Sequence, residues 1–472
     1  MLGAPDISGA RAAEGSERDD GAHIARNRWV RPANGSAVRG AHLTVHLGAT
    51  WLGILLSAAA AAYAIAVLVA DLPRRRSWPA AEDGATPPVT ILKPLCGAEP
   101  GLYENLRSFC NQTYPRFQIV FGVADSADPA VDVVQRLRRE FTDVDIQLAI
   151  NRRQHGSSRK VSNLINMMPF ARHDYLIIAD SDVRVTPSYL RQIVPPLLHA
   201  GVGIVTCAYR GKPRQGLWSL FGSLFINDWF IPSVRVAAML GSSAFAFGAT
   251  IAIRRETLAG IGGFHSMANQ LADDYRLGEL TRRSGLRTVL ADVVVETCVD
   301  EGGLGTLVSH ELRWLRTIRA VRPVGFSLLF VTFGFPLAAL GTVLARGAWP
   351  AAGLSAITCV ARAALYWRAS TSSAASGSVL RLFVLPLRDL LSVALWGWSF
   401  TSSRVYWRGF QFRILRDGSV LPVARRTVQH QARIPAATGK VDGALGGFGT
   451  ADRTRRRRSA NRRRREPFPG RR

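Results

Sequence analysis

Cysteine is scarce: five residues (Cys96, Cys110, Cys207, Cys298, Cys359) are scattered over 472 positions without a CxxC pair. That spacing excludes a disulfide framework and a cysteine-held zinc site, and reduced cytosolic thiols are expected. Acidic residues are also few, 34 Asp+Glu against 60 Lys+Arg, leaving a formal net charge of +26. Such a field attracts nucleic acid, anionic lipid and anionic small molecules alike. No nucleic-acid-binding motif accompanies it, and much of the excess sits in a terminal arginine run, so no nucleic-acid partner is expected. The N-terminus lacks the early apolar run of a cleavable signal peptide.

Apolar residues make up 47% of the chain and are gathered in blocks. Residues 1–42, rich in Gly, Ala, Ser, Asp and Arg, show no apolar periodicity and are expected to form a disordered extension. Residues 46–70 follow as a run of ~24 residues, which at ~1.5 Å each gives ~36 Å, enough for a transmembrane helix. Asp71 and the cluster Arg74, Arg75 and Arg76 come next. By the positive-inside rule the following domain is cytosolic, which predicts an integral inner (cell) membrane protein. Further apolar stretches at 324–345, 348–367 and 382–403 read as C-terminal membrane segments. The second holds Arg362 and the third begins with Arg381, Arg388 and Asp389, so two full spans and one partial one are expected. The tail, 427–472, ends in Arg455–Arg458 and Arg462–Arg465 and reads as disordered, with anionic lipid headgroups as its partner.

Between these membrane elements, residues 86–322 alternate short apolar runs with helical stretches. Val89–Leu92, Gln118–Val123, Ile146–Ile150 and Tyr175–Ala179 read as buried strands, and Pro129–Phe141 as an amphipathic helix. Strands separated by helices at this spacing predict an α/β domain with a mostly parallel sheet.

Transfer from a nucleotide-sugar needs carboxylates for the nucleotide and a metal, a base for the acceptor, and cations for the leaving diphosphate. This domain offers a candidate for each. Asp125 ends the strand Gln118–Val123, where ligands of open α/β sheets sit; helix capping falls better to Asp128, before Pro129. Asp180 and Asp182 follow the strand Tyr175–Ala179. In an extended segment they point to one side, and two carboxylates there suit a hard divalent ion, Mg²⁺ or Mn²⁺. Asp273 and Asp274 open a helix, either to favour its dipole or with Asp274 as a general base. His310, Arg313 and Trp314 lie in His-Glu-Leu-Arg-Trp, where Arg313 can neutralise a diphosphate and Trp314 can wall an acceptor. Arg316, Arg319 and Arg322 continue as a basic stripe suited to headgroups. Lys160 and Asn163 are candidate donor contacts, whereas Gly248, Arg255-Glu256 and Gly262-Gly263-Phe264 read as packing turns.

The series Asp125, Asp180 in Asp-Ser-Asp, Asp274 in Ala-Asp-Asp-Tyr, then Arg313-Trp314 resembles the D, D, D, (Q/R)xxRW pattern of the ceramide glucosyltransferases, glycosyltransferase family 21. Leu-Lys-Pro-Leu-Cys-Gly at 92–97, Lys-Val-Ser-Asn at 160–163 and Arg-Val-Tyr-Trp-Arg-Gly at 404–409 extend the resemblance over about 45–415. The phrases beginning at Asn163 and Ser309 are similar to the bacterial hopanoid-biosynthesis branch. One departure is His310, which stands where the family pattern has Gln or Arg.

The resemblance implies a GT-A fold, a UDP-sugar donor carrying glucose or N-acetylglucosamine, inversion at the anomeric carbon, and a membrane-lipid acceptor, a hopanoid or ceramide. It places Asp125, Lys160, Asp180, His310 and Arg313 on the nucleotide-sugar and Asp180 with Asp182 on the metal. Asp274 becomes the base, and Trp314 an acceptor contact. A processive polysaccharide synthase is the neighbouring alternative, and a basic membrane-associated scaffold the alternative of another class.

Overall fold

The computed structural model describes residues 34–72, 85–243, 245–371, 382–407 and 409–423. The expected tail at 427–472, the first 33 residues, Arg74–Arg76 and Arg381 lie outside them.

Helix α1 (Asn34–Ala70) is followed by β1 (Val89–Pro94), α2 (Leu102–Cys110), β2 (Phe117–Val123), α3 (Ala130–Glu140), β3 (Asp145–Ile150) and α4 (Arg159–Met167). Then come β4 (Tyr175–Ile178), β5 (Val183–Arg184), α5 (Tyr189–Ile193), α6 (Pro195–Leu198), β6 (Val202–Pro213) and α7 (Leu217–Leu224). A π-helical turn, Phe225–Phe230, leads into α8 (Ile231–Met239), β7 (Ile251–Arg254), α9 (Arg255–Gly260), α10 (Asp273–Arg283), β8 (Arg287–Val299) and α11 (Leu304–Val321). The remainder is α12 (Pro323–Ser327), α13 (Gly334–Leu344), α14 (Trp349–Thr371), α15 (Val384–Ser399), β9 (Arg404–Trp407), β10 (Phe410–Ile414) and β11 (Val420–Pro422).

Strands β1 to β8 form one sheet in the order β3-β2-β1-β4-β7-β6-β8-β5. The first four are parallel, as the βαβ spacing predicts, and β6 runs parallel to β8. Strand β7 is antiparallel to both its neighbours and β5 is antiparallel to β8, so the sheet is mixed. Helices cover both faces, and the side chains alternate between them with the period of two that a strand imposes. Val89, Ile91, Ile119 and Phe121 pack against Leu106 and Phe109 of α2 and Leu137 of α3. Leu92, Val120 and Ile178 face the other way, onto Leu164 and Met167 of α4 and Leu277 of α10. The ends of β2 and β4 therefore open beside the N-termini of α4 and α10.

Helix α1 reaches back to Asn34, so residues 34–42 are helical rather than part of the unstructured extension expected from composition. Among the described residues, Thr44–Ala70 is the one helix long and apolar enough to cross a membrane; the bent pair Pro323–Thr332 and Gly334–Leu344, turned by 69°, adds a second only if taken as one span. The expected segments at 348–367 and 382–403 fall largely in α14 (Trp349–Thr371) and α15 (Val384–Ser399). Arg362, in α14, is paired at 2.9 Å with Asp389 of α15 and donates to Asp228 O at 2.6 Å. Helix α1 docks on α13 at Gly53, whose added Cβ would fall 2.4 Å from Gly341 O, a close backbone approach that small residues permit between packed helices.

Candidate functional site

Asp180 and Asp182 occupy a turn rather than an extended segment: Val183 N–H donates back to Asp180 O at 3.4 Å. That corrects the geometry read from the i, i+2 spacing. Strand β5 then pairs with β8 at Val183 and Thr297, and the Thr297 hydroxyl donates to Asp182 Oδ2 at 2.7 Å. Lys160, in the first turn of α4, reaches Asp180 Oδ1 at 2.8 Å and Asp273 Oδ2 at 3.2 Å. Helix α4 is placed for this by its cap, Ser158, whose Oγ accepts from Val161 N.

Asp274 begins α10 beside Asp273. Its Oδ2 accepts the Gly248 N–H at 2.8 Å and its Oδ1 the Tyr275 N–H at 2.7 Å. Gly248 lies where the site converges: an added Cβ would stand 3.1 Å from Asp180 Oδ2, 3.3 Å from Asp274 Oδ2 and 3.3 Å from Lys160 Nζ. The packing role read for Gly248 is therefore too small. Arg255, by contrast, ties Ala171 O and His173 O and does pack.

Sequence reasoning missed Lys93. It is fully buried at the end of β1, donates to Asp180 O at 2.6 Å and sits 3.7 Å over the Phe109 ring. Burial pushes its ammonium down to about 7, against the pull of Asp182 and Asp180. The available signal was a lysine inside an otherwise apolar strand. Asn163 lines the cavity at this site, and its Nδ2 donates to Gly122 O at 2.7 Å and more weakly to Leu95 O, joining the ends of β1 and β2.

The charges are unbalanced. Burial and then Asp180 raise Asp182, and burial also raises Asp273. Burial followed by Asp273 pushes Asp274 up to about 6, with Lys160 pulling it back. Burial would lower Lys160, but Asp180, Asp273 and Asp274 outweigh it and hold its ammonium well above the usual range. Five carboxylates, Glu99 among them, thus act on two ammonium groups, Lys93 and Lys160, which leaves negative charge for a cation to relieve. Among the described residues no group of three or more His, Cys, Asp or Glu side chains could hold a metal alone. Asp180 and Asp182 instead fit an ion of the Mg²⁺ or Mn²⁺ type that takes one or two carboxylates and completes its shell with substrate phosphates.

Asp125 is not the helix cap. The N-cap of α3 is Pro129; Asp128 before it accepts the Ala130 N–H and the Gly97 N–H, while Asp125 pairs with Arg152 at 2.6 Å and stays half-exposed. The Arg152 guanidinium, with the Ala127 N–H, holds the Asp125 carboxyl below its usual range. On α11, His310 Nδ1 lies 2.8 Å from Glu301 Oε1, and its ring stands edge-on to Trp314 at 4.6 Å. Trp314 also packs on Phe225. The basic stripe is hydrogen-bonded within the chain: Arg316 donates to Arg404 O, Arg319 to Ser402 O and the exposed Arg322 to the Tyr275 hydroxyl.

One cavity of 1530 Å³ is lined by every residue singled out as a site candidate: Asp125, Lys160, Asp180, Asp182, Asp274, His310, Arg313 and Trp314. The same cavity is lined by apolar side chains of the π-helical turn, α8, α11 and α12, among them Trp229, Phe230, Val234, Ile318 and Phe326.

Residues 49–420 match the model of Glycosyl transferase family 21. Ceramide glucosyltransferase 1 of Caenorhabditis elegans is 22% identical over 376 residues, 77% of this chain and 78% of that protein. Ceramide glucosyltransferase 3 of the same organism is 21% identical over 351 residues, 72% and 76% of the two chains. Among solved structures, the mannosyltransferase PcManGT from Pyrobaculum calidifontis, in complex with GDP-Man and Mn²⁺, is 21% identical with a TM-score of 0.42, covering 75% of this chain and 95% of that one.

Proposed function

This chain belongs to glycosyl transferase family 21 and is a sugar transferase, and from that premise we propose that it moves one sugar from a UDP-sugar to a hydroxyl of a membrane lipid, with inversion. The observation that carries the reading is one cavity in which carboxylates and Lys160 share a wall with aromatic rings. A polar, charged sugar nucleotide and an apolar lipid need such a joint site, with the reacting hydroxyl where the two linings meet.

In this reading Asp274 takes the acceptor proton as the hydroxyl oxygen attacks the anomeric carbon. The bond from that carbon to the diphosphate oxygen breaks, and UDP leaves from the opposite face. Gly248 N–H and Tyr275 N–H fix the Asp274 carboxylate, so it need not reorganise as the proton arrives. Arg313, His310 and Lys160 face the diphosphate, Asp125 the nucleotide, and Trp314 the acceptor. A divalent ion held by Asp180 and Asp182 supplies, when bound, positive charge for the departing phosphate oxygens.

The acceptor is ceramide or a hopanoid, and the sugar glucose or N-acetylglucosamine. The relatives named above act on ceramide by their names, and the phrases at Asn163 and Ser309 favour the hopanoid. The enzyme sits in the cell membrane through α1 with its catalytic domain on the cytosolic side, and its arginine-rich tail rests on anionic headgroups.

The test is a UDP-release assay on detergent-purified protein with Mg²⁺ or Mn²⁺, offering UDP-glucose and UDP-N-acetylglucosamine against ceramide and a polyhydroxylated hopanoid. Turnover with one pair, giving a product with a single sugar, is expected. A product carrying many sugars would transfer the assignment to a processive synthase, and absence of donor binding would sink the reading.

A further inference from the structure

The residues just before Asp273 and Asp274 pair with the C-terminal sheet, not with the main one. Val420 N–H donates to Asn269 O at 2.9 Å and Leu271 N–H to Gly418 O at 3.3 Å. Gln270 stands opposite Ser419 in an antiparallel bridge between these two bonds. Asn269–Leu271 thus acts as an added strand on the β11 edge of the sheet β11-β10-β9. Leu271 is buried in one apolar cluster with Val405, Phe412, Ile414 and Val420.

The same sheet is fixed at its other edge to α11. Arg316 Nη1 donates to Arg404 O at 2.6 Å and Arg319 Nη2 to Ser402 O at 2.8 Å. Those arginines follow Arg313 on the same helix. Arg322 reaches the hydroxyl of Tyr275, the residue after Asp274, at 3.0 Å. The start of the loop is tied to the N-terminus of α4, which carries Lys160: Ser158 N–H donates to Ala268 O at 2.8 Å and Ser157 N–H to Asn269 Oδ1 at 2.9 Å. Lys160, Asp274 and Arg313 come from three separate elements, and the sheet with its loop braces all three. Tyr406 and Trp407 of β9 line the cavity.

We propose that the three-stranded sheet at 404–422 is the positioning element of the transfer reaction: its β11 edge sets the loop 269–271, and through it the Asp274 carboxylate, against α11. This rests on the reading of Asp274 as the base. Gly418 and Val420 are then positioning residues that touch neither substrate. Gly418 has φ +80°, which favours glycine, and an added Cβ would lie 2.8 Å from Val321 Cγ1 and 3.0 Å from Gln270 Oε1. A larger residue there pushes the loop and α11 apart.

The test uses the full chain in detergent, with the donor and acceptor pair that turns over in the assay above. Gly418→Val is expected to lower kcat by about tenfold or more, since a misplacement of ~1 Å can cost ~10²-fold. Donor KM should stay within about twofold of the parent, because Asp125, Asp180 and Asp182, which follow strands of the main sheet, are not displaced. Val420→Pro, which removes the N–H given to Asn269, should show the same split. Full kcat in both variants, or loss of donor binding in both, overturns the proposal. Combined with Asp274→Asn, either variant should cost no more than Asp274→Asn alone, as expected for residues acting through one group; additive losses overturn it. Full activity of Asp274→Asn by itself would instead remove the base reading, whatever Gly418 does.

Discussion

Arg388 of α15 grips both carboxylate oxygens of Glu311, each at 2.7 Å, and the two side chains are 3% exposed. Arg388 also donates to Phe221 O at 2.9 Å and to Ser392 Oγ at 3.1 Å. Glu311 lies between His310 and Arg313, so an apolar C-terminal helix holds the helix that carries three of the proposed site residues.

Removing one partner strands the other charge in a buried place, which typically costs about 3–5 kcal/mol. Arg388→Met and Glu311→Leu are therefore each expected to lower the thermal unfolding temperature of the detergent-purified protein markedly. The double variant should recover most of the loss, because an apolar pair needs no compensation. Single variants as stable as the parent would show that the pair is dispensable.

Gly248 gives the second prediction. Its added Cβ stands 3.1 Å from Asp180 Oδ2 and 3.3 Å from both Asp274 Oδ2 and Lys160 Nζ, tighter than ordinary contact. Gly248→Ala must displace these three groups by a few tenths of an ångström. Misplacing the proposed base, Asp274, and the proposed metal carboxylate, Asp180, together should cost roughly 10- to 100-fold in kcat/KM. Steady-state UDP release decides it, and an Ala variant with parental kinetics would relieve Gly248 of any role in the site.

Burial and Asp273 hold Asp274 up at about 6, and a base acts only when ionised. With Asp274 as the proposed base, kcat/KM falls as pH drops through about 6 and is level above it, because the free enzyme's essential base sets that limb. Asp274→Asn should lower kcat by ~10²- to 10⁴-fold and abolish the limb near pH 6 in the residual activity. A pH–rate profile of parent and variant checks both. The same acid limb persisting in the variant would assign it to another group.

The sequence made the parallel half of the sheet legible because β1, β2 and β4 are short apolar runs, with Asp125 two residues after β2 and Asp180 two after β4. The turn at Asp180–Asp182 was read as extended because i, i+2 spacing cannot distinguish a strand end from a turn closed by Val183 N–H. Lys93 and Gly248 were missed or undervalued for a related reason: their roles arise from contacts with Asp180 and Asp274, which lie far away in the chain. The bend between α12 and α13 had a local sign in Pro336, which has no N–H to continue a helix. The Arg316, Arg319 and Arg322 stripe looked like a headgroup contact because helical spacing shows which face they share, not what covers it. The hydrogen-bond partners of its guanidinium groups, Arg404 O, Ser402 O and the Tyr275 hydroxyl, are far away in the chain.

The metal prediction follows from the unbalanced charge around Asp180 and Asp182. An ion that joins carboxylates to the UDP diphosphate must strengthen UDP binding, and by linkage UDP must strengthen ion binding by the same factor, typically 5- to 150-fold. Titrating UDP in Mn²⁺ and again after chelation measures that factor without requiring turnover. Asp182→Asn should shrink it, since the amide carries no charge, while the Thr297 hydroxyl bond to the retained oxygen keeps β5 against β8. Transfer should stop on chelation and return with Mg²⁺ or Mn²⁺. If UDP bound equally well with and without the ion, Lys160 and Arg313 would have to carry the diphosphate alone, and the excess of negative charge would need another explanation.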